Sequence, residues 1–530
     1  MTKKTYSYNT RRGYPSLQWM AISAIVFGTI YCFAIGANDV ANSFGSSVSA
    51  KSVTIPQAIL IATIMEAAGA ILLGANVTGT IRNSIVRTSP YYVGQYGLIM
   101  TGMLIALIMG SFWLLFFTYL QLPVSTTHTI VASLCGFTYA AKGWNSINFP
   151  NLRLIFISWG ASPSFTFMIA FIFFTIVKYL VLKGRDPYAR ACIAYPIIVG
   201  LGLGINLFLV LQKSNNRITP NSITGSSKGR NWTKTVVLPA VFGTAVGGAL
   251  ITHFIAVPLV KRRIDRKHRE GLAAAEAARQ AEEEKEMKKA EGQEVIEEPE
   301  VIEEPERGKL ASAWRWFAKN TYDQDLQKQS FEESKKTELI WSQQPDFDPR
   351  AEYLFQYVQV FTACLTAFAH GSNDVANGMG PVSAVMTIQK KGWSSRSSVE
   401  YWLLAAGGVA IGVGFIFFGY RIIKSVGYKI TKLSPSRGAS LELATAIAVA
   451  IASYLSIPVS TTQCLVGATA GVAFASGGCK AVDWVWLIII GGSWAGVFFI
   501  AAIFSGLFMW LVTQSPGLVI ETNYNFTDYA

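Results

Sequence analysis

The chain has 530 residues, a formal net charge of +13 and a hydrophobic content of 51%. A soluble chain of this length would form several water-exposed domains, yet apolar runs long enough to cross a bilayer recur along most of it. The composition therefore excludes a soluble protein. The basic residues lie in loops between the runs, which indicates juxtamembrane charge and argues against nucleic-acid binding.

The N-terminal residues 1–17 lack the short apolar core and the cleavage site of a signal peptide, so we predict a retained tail. The six cysteines contain no CxxC pair and the four histidines share no ligand spacing, so neither set predicts a metal or disulfide framework. We expect no organic cofactor. The apolar runs that predict membrane spans are 18–35, 96–120, 164–182, 191–212, 235–260, 398–419 and 482–512.

Two short strings occur twice in the chain, at one fixed offset. Gly-Ala-Asn-Asp-Val-Ala-Asn at 36–42 returns as Gly-Ser-Asn-Asp-Val-Ala-Asn at 371–377, which is 335 positions later. Pro-Val-Ser-Thr-Thr at 123–127 returns unchanged at 458–462 with the same offset. Two motifs duplicated in this way predict two copies of one structural unit. We expect the chemistry to lie where the copies meet.

Acidic residues are rare in the predicted membrane region. The first 260 residues contain three carboxylates, of which Asp39 and Glu66 fall in apolar surroundings, as Asp374 and Glu442 do in the second half. An ionised acid at membrane depth costs at least a few kcal/mol, so it needs a counter-charge. Lysine or arginine partners at that depth are not apparent in the sequence, which favours a small mobile cation.

Amide side chains accompany both aspartates. Their carbonyl oxygens suit a hard ion such as sodium and disfavour soft transition metals. The alternative is a polar clamp between membrane helices. The four amides are Asn38, Asn42, Asn373 and Asn377.

The second duplicated string predicts the start of a broken helix. Pro123 and Pro458 interrupt an apolar segment, and the hydroxyl residues that follow are good helix N-caps. Two such helix starts, facing each other, would hold a tetrahedral oxyanion through backbone N–H groups and hydroxyls. The alternative is that the hydroxyls merely cap the helices. The candidates are Ser125, Thr126, Thr127, Ser460, Thr461 and Thr462.

Glu66 and Glu442 are not equivalent in the two copies, because the matching positions hold Tyr401 and Leu107. Each half thus has a private acid, for which we predict a gate or an additional cation site. The alternative is pairing with Arg82, Lys424 or Arg437. His128 and His370 flank the motifs, and we interpret them as structural groups, with pH sensing as the weaker alternative.

A polar insert divides the chain into two membrane halves. Residues 18–260 form the first half with extra spans, and 351–513 form the second, followed by a tail at 514–530. The insert at 261–350 opens with a basic run and continues with an Ala/Glu/Lys stretch and a tandem Val-Ile-Glu-Glu-Pro-Glu. Basic residues directly after a span predict a cytoplasmic loop, and the composition cannot bury a core.

The duplicated strings, His370 before the second copy and Ser-Pro-Ser-Arg-Gly at 434–438 resemble the inorganic phosphate transporter (PiT) family of sodium–phosphate symporters. The likeness covers both membrane halves and leaves out the insert. It implies an all-α membrane protein of about twelve segments, in two inverted repeats with broken or re-entrant helices. It also implies that Asp39, Asn42, Asp374 and Asn377 bind sodium, that the hydroxyl clusters contact phosphate, and that both private glutamates are needed.

The resulting hypothesis is a secondary transporter in the plasma membrane that imports inorganic phosphate together with sodium by alternating access. A proton-coupled carrier of phosphate or another oxyanion is the main alternative. A membrane enzyme acting on diphosphates is disfavoured, because each motif holds one aspartate where such chemistry usually needs two. The expected partners are phosphate, sodium and the lipid bilayer, and a homo-oligomer is compatible with the sequence.

Overall fold

A computed structural model describes residues 15–87, 95–214, 233–266, 269–270, 332, 334–391 and 399–514. Most of these residues are helical, and a single isolated β-bridge among them joins Val86 to Ile147. The N-terminal tail up to residue 14, the tail from 515 and the acidic repeat of the insert lie outside the described residues.

Side chains cap the starts of some helices of the first half. Thr54 and Gln57 form a capping box, in which Gln57 N donates to Thr54 Oγ1 at 3.4 Å and Thr54 N donates to Gln57 Oε1 at 3.0 Å. A π-helical turn, Gly36–Val40, separates the first two helices. The helices are α1 (Gln18–Ile35), α2 (Ala41–Ser49), α3 (Ile55–Ser84), α4 (Tyr96–Tyr119), α5 (Thr126–Lys142) and α6 (Phe149–Val177, continued by a π turn to Leu182).

Two further helices of the first half, α7 (Pro187–Ser214) and α8 (Leu238–Ile251), follow, and helix continues from α8 to residue 266. A short helix, α9 (Lys335–Ser342), precedes the second half. That half consists of α10 (Pro349–Lys391), α11 (Tyr401–Tyr428), α12 (Pro435–Tyr454), α13 (Thr461–Gly477) and α14 (Trp484–Thr513).

The described part contains 9 helices that are long and apolar enough to cross a membrane. The protein is therefore an all-α polytopic membrane protein, as the hydropathy predicts. Besides the short helix α9, three helices fall outside this set: α5, which is 17 residues long, and α10 and α12, which carry buried polar groups. If they also cross, the total reaches the expected twelve, and that number stays a prediction.

The two halves repeat the same backbone path. Shifting α5 and α6 by 335 positions reproduces the starts of α13 and α14 (126 to 461, and 149 to 484). The turns before α5 and α13 both contain a non-glycine residue with positive φ, 60° at Gln121 and 61° at Ser456. Duplication of the strings thus reflects duplication of the fold.

The halves also interlock reciprocally. A Cβ on Gly136 of α5 would lie 2.0 Å from the backbone oxygen of Ala502, and one on Gly471 of α13 would lie 2.3 Å from that of Phe167. Both pairs are related by the same offset of 335. Such exchange of partners is the contact pattern of a two-fold pseudo-axis. The inverted orientation of the copies in the membrane stays a prediction.

Candidate functional site

The duplicated strings meet in the buried centre of the protein. Asp39 lies in the π-helical turn between α1 and α2, while Asp374 lies inside the continuous helix α10. The side chains are 1% and 0% exposed, respectively. The two hydroxyl clusters lie at the starts of α5 and α13, as predicted from their prolines.

Helix α13 supplies hydroxyl groups to both aspartates. Thr462 Oγ1 donates a hydrogen bond to Asp39 Oδ1 of the other half. Thr461 Oγ1 donates to Asp374 Oδ2 at 2.6 Å. The carboxylates of the two halves are therefore connected through one helix start.

The hydroxyls of α5 face the second half in turn. Asn377 Nδ2 donates to Thr126 Oγ1 at 3.2 Å and to Thr127 Oγ1 at 3.1 Å. Thr127 Oγ1 also donates to the backbone oxygen of Val459 at 2.9 Å. Each helix start is thus completed by residues of the opposite half.

The serines of both clusters act as helix caps. Ser125 Oγ accepts from His128 N at 3.2 Å, and Ser460 Oγ accepts from Gln463 N at 3.3 Å. The capping interpretation therefore holds for the serines in this conformation. The threonines, by contrast, bond across the site.

The amides Asn38 and Asn373 brace the turns that precede the helix starts. Asn38 Nδ2 donates to Leu122 O at 3.2 Å, and Asn373 Nδ2 donates to Ile457 O at 3.3 Å, at matching positions of the repeat. Asn38 Oδ1 also accepts from Val124 N at 3.0 Å, so this oxygen is engaged with the backbone. The side chain of Asn42 lies outside the described part of the chain.

His370 is the residue that the sequence interpretation underrated. Its Nδ1 lies 2.7 Å from Glu66 Oε2, and its Nε2 lies 2.9 Å from Asp374 Oδ2. His370 and Asp374 are four residues apart on one helix, a spacing that could have revealed the contact. The matching position in the first half is Ile35, so this imidazole breaks the symmetry of the repeat.

Asp39, His370 and Asp374 form a compact group, in which each residue offers a ligand atom within 4.8 Å of the others. Among the described residues, Asp374 Oδ1 and Asn377 Oδ1 are buried without a hydrogen-bond partner. The cavity beside this group measures about 10 Å³, roughly the space of one water molecule. Such a site can hold a small cation, and it is closed to a phosphate ion in this conformation.

Among the described residues, neither private glutamate pairs with Arg82 or Arg437, the alternative considered above. Glu66 contacts His370, whereas Arg82 Nη1 donates to Ser383 Oγ at 3.2 Å. Glu442 accepts from four neutral donors on α2 and α10, and Arg437 bonds elsewhere, with its Nε donating to Ser476 Oγ at 2.9 Å. The donors to Glu442 are Ser46 at 2.6 Å, Ser47 at 2.7 Å, Gln359 at 3.1 Å and Thr362 at 2.7 Å.

Comparison with known proteins shows which family the chain resembles. The model of the PHO4 phosphate transporter family matches residues 35–505. The chain belongs to this family. Its site residues from Asp39 to Thr462 all fall within the matched range.

The likeness to individual family members extends over most of the chain. A phosphate-repressible phosphate permease, pho-4, of Neurospora crassa is 29% identical, with 93% of this chain and 97% of the permease covered. Sodium-dependent phosphate transporter 1 of Mus musculus is 27% identical, with 88% and 91% covered. A solved structure of a sodium-dependent phosphate transporter superposes with a TM-score of 0.69 at 29% identity, covering 93% of this chain and 99% of that one.

Proposed function

We propose that this phosphate transporter couples sodium entry to phosphate import across the plasma membrane by alternating access. The observation that carries the proposal is the buried group of Asp39, Asp374 and Glu66 around the single imidazole of His370. Oxygen donors of this kind prefer hard cations. The sodium-dependent relatives support the same ion.

The charge of the group supports sodium as a co-substrate. With all three carboxylates ionised, the group carries two net negative charges even when His370 is protonated. That charge repels a phosphate anion, and in a buried site the repulsion is weakly screened. Bound sodium ions would neutralise the group and contact phosphate oxygens, so that each ligand favours the binding of the other.

The two helix starts are the proposed phosphate site. The first turn of a helix offers unpaired backbone N–H groups and a partial positive charge to an anion. Thr126, Thr127, Thr461 and Thr462 would exchange their present bonds for phosphate oxygens once the site opens. Ser125 and Ser460 would hold the helix starts in shape and share oxygens with the ligands.

We propose that Glu442 acts as a gate and that Glu66 provides an additional contact with the cation. Glu442 ties α2 to α10 and α12 through hydroxyl donors, without a basic partner among the described residues. Since α2 follows the π-helical turn that holds Asp39, releasing these bonds would let α2 move relative to the site. In this scheme the polar insert at 261–350 faces the cytoplasm.

The test is phosphate uptake into proteoliposomes. An inward sodium gradient is expected to drive accumulation of radiolabelled phosphate, and Asp39→Asn is expected to abolish the sodium-driven part, because it removes a charge that holds the cation. Replacing the sodium gradient with a pH gradient provides the comparison. Uptake driven by the pH gradient alone would favour proton coupling, and unaltered uptake by Asp39→Asn would remove that residue from the cation site.

A further inference from the structure

A groove of about 640 Å³ runs along the surface where α5, α6 and α14 meet. Its floor consists of the small residues Gly136, Ala502 and Gly506, and its lining is almost entirely apolar. Side chains at its edge, such as Ile503 and Leu507, are exposed on helix α14, which is long and apolar enough to span the membrane. The groove therefore opens towards the lipid.

The repeat explains why the groove exists at one end of the molecule. Ala502 and Gly506 correspond, 335 positions earlier, to Phe167 and Phe171. Those two rings lie 6.1 Å and 5.9 Å from the ring of Phe474, measured between centroids. Phe474 is in turn the counterpart of Tyr139, which lines the groove. Beside Phe474, two phenyl rings occupy this position. Beside Tyr139, at the other end of the molecule, alanine and glycine leave the space open.

A second difference between the copies lies beside the groove. An adjoining hollow of about 470 Å³ shares Phe149, Leu152 and Phe156 with the groove and adds Arg153 to the lining. The counterpart of Arg153 is Ile488, an exposed apolar residue. The end of the molecule that lacks the two aromatic rings thus carries a cation where the equivalent surface carries isoleucine.

Aromatic residues place this end of the groove at the membrane–water interface. Trp144 and Tyr139 are exposed, and their rings lie 4.5 Å apart between centroids at the end of α5. Tryptophan and tyrosine are enriched at the level of the lipid headgroups. A guanidinium at this level faces lipid phosphates, and the apolar floor runs from it along the spanning helices.

We propose that the groove is a binding site for a membrane phospholipid, with an acyl chain on the floor of Gly136, Ala502 and Gly506 and the headgroup phosphate at Arg153. The guanidinium supplies charge complementarity to the phosphate. The acyl chain takes the place that Phe167 and Phe171 fill in the other copy. The proposal is independent of the transported ion.

The experiment uses the full chain in nanodiscs of phosphatidylcholine that contain a phosphatidylcholine probe with a diazirine on its acyl chain. Photolabelling is expected to concentrate on peptides around Tyr139 and 502–510. In the double variant Ala502→Phe/Gly506→Phe, which copies the rings of the other half, labelling there is expected to fall to the level of the remaining lipid-facing surface. Ile488→Phe adds a ring to an exposed position of α14 away from the groove, and it should keep the labelling.

Arg153→Ile replaces the cation with the residue found at the matching position of the other half, Ile488, and leaves the groove open. Labelling of these peptides relative to the remaining lipid-facing surface is expected to fall about two- to fivefold in this variant, which corresponds to the loss of one partly exposed ion pair. Equal labelling of the wild type and the double variant would overturn the proposal. Labelling no stronger than on the rest of the surface, or crosslinks between two copies of the chain at these peptides, would overturn it as well.

Discussion

Thr462 shows at the scale of a single residue how the halves depend on each other. Its hydroxyl donates to Asp39, which lies more than 400 positions away in the sequence, and it also contacts the backbone oxygen of Val124 at 3.3 Å. A buried carboxylate that loses a donor is left partly unsatisfied, which costs about 1–3 kcal/mol. The effect of a change at Thr462 should therefore be felt in the first half.

Thr462→Val removes this hydroxyl with almost no change of shape. We expect sodium-driven phosphate uptake to fall by about tenfold or more, since about 1.4 kcal/mol corresponds to a factor of ten. Thr469→Val is the matched control, because Thr469 is buried on the same helix and bonds to Leu465 O of its own backbone at 2.8 Å. Equal uptake by the two variants would show that the bond to Asp39 contributes nothing to transport.

At residue scale, the sequence indicated which acids are buried and missed how they bond. Acid scarcity indicated Asp39, Asp374, Glu66 and Glu442, because a buried charge is visible in any apolar run. The contact of His370 with Glu66 depends on how α3 and α10 cross, and no spacing within one helix contains that information. The arginine pairing considered for the glutamates depends on the same tertiary geometry.

At the scale of elements, the approach of α3 to α10 decides the geometry of the site. A Cβ on Gly69 would lie 1.9 Å from Phe368 O, and one on Gly371 would lie 2.2 Å from Glu66 O. The helices thus touch backbone to backbone, as small residues allow in membrane proteins. This contact brings Glu66 of α3 within hydrogen-bond distance of His370 of α10.

Gly69→Ala is expected to force α3 and α10 apart. Overpacking of this kind typically costs about 1–3 kcal/mol, so the melting temperature in detergent should fall and uptake should decrease with it. Gly79→Ala makes the same substitution on the same helix, at a position where an added Cβ meets nothing within 4 Å. A lowered melting temperature for both variants, or for neither, would contradict the proposed close contact.

The helix starts were predictable because proline and hydroxyl residues signal them locally. The difference in backbone between the two helices that carry the aspartate strings could not be predicted. The Asp39 string breaks into a π-helical turn, whereas the nearly identical string around Asp374 continues through a helix of 43 residues. Since seven residues so alike adopt different backbones, their surroundings must decide the conformation.

At the scale of the whole molecule, the two copies exchange helices as well as side chains. α5 packs against α14 of the other half, and α13 packs against α6. The contacts of Gly136 and Gly471 repeat this exchange at matching positions. A binding group at the junction of such an assembly can be exposed to either side of the membrane by rocking one part against the other.

Transport by this assembly is expected to respond to the membrane potential. In the proposed scheme two sodium ions would compensate the two net negative charges of the central group, and together with a singly charged phosphate they would carry net positive charge inward. Each such charge gains about 2.3 kcal/mol per 100 mV. In proteoliposomes with a potassium diffusion potential set by valinomycin, uptake should rise when the inside is negative and fall when it is positive. Indifference to the potential would point to an electroneutral cycle.

The hydrogen bond from Thr462 to Asp39 has an evolutionary consequence. When a gene duplicates, each copy is usually free to drift, but here a mutation in one copy's hydroxyl cluster alters the acid of its twin. The two copies must consequently be inherited and selected as one unit. Differences such as Phe167 and Phe171 against Ala502 and Gly506 lie outside this exchange and leave the shared bond intact.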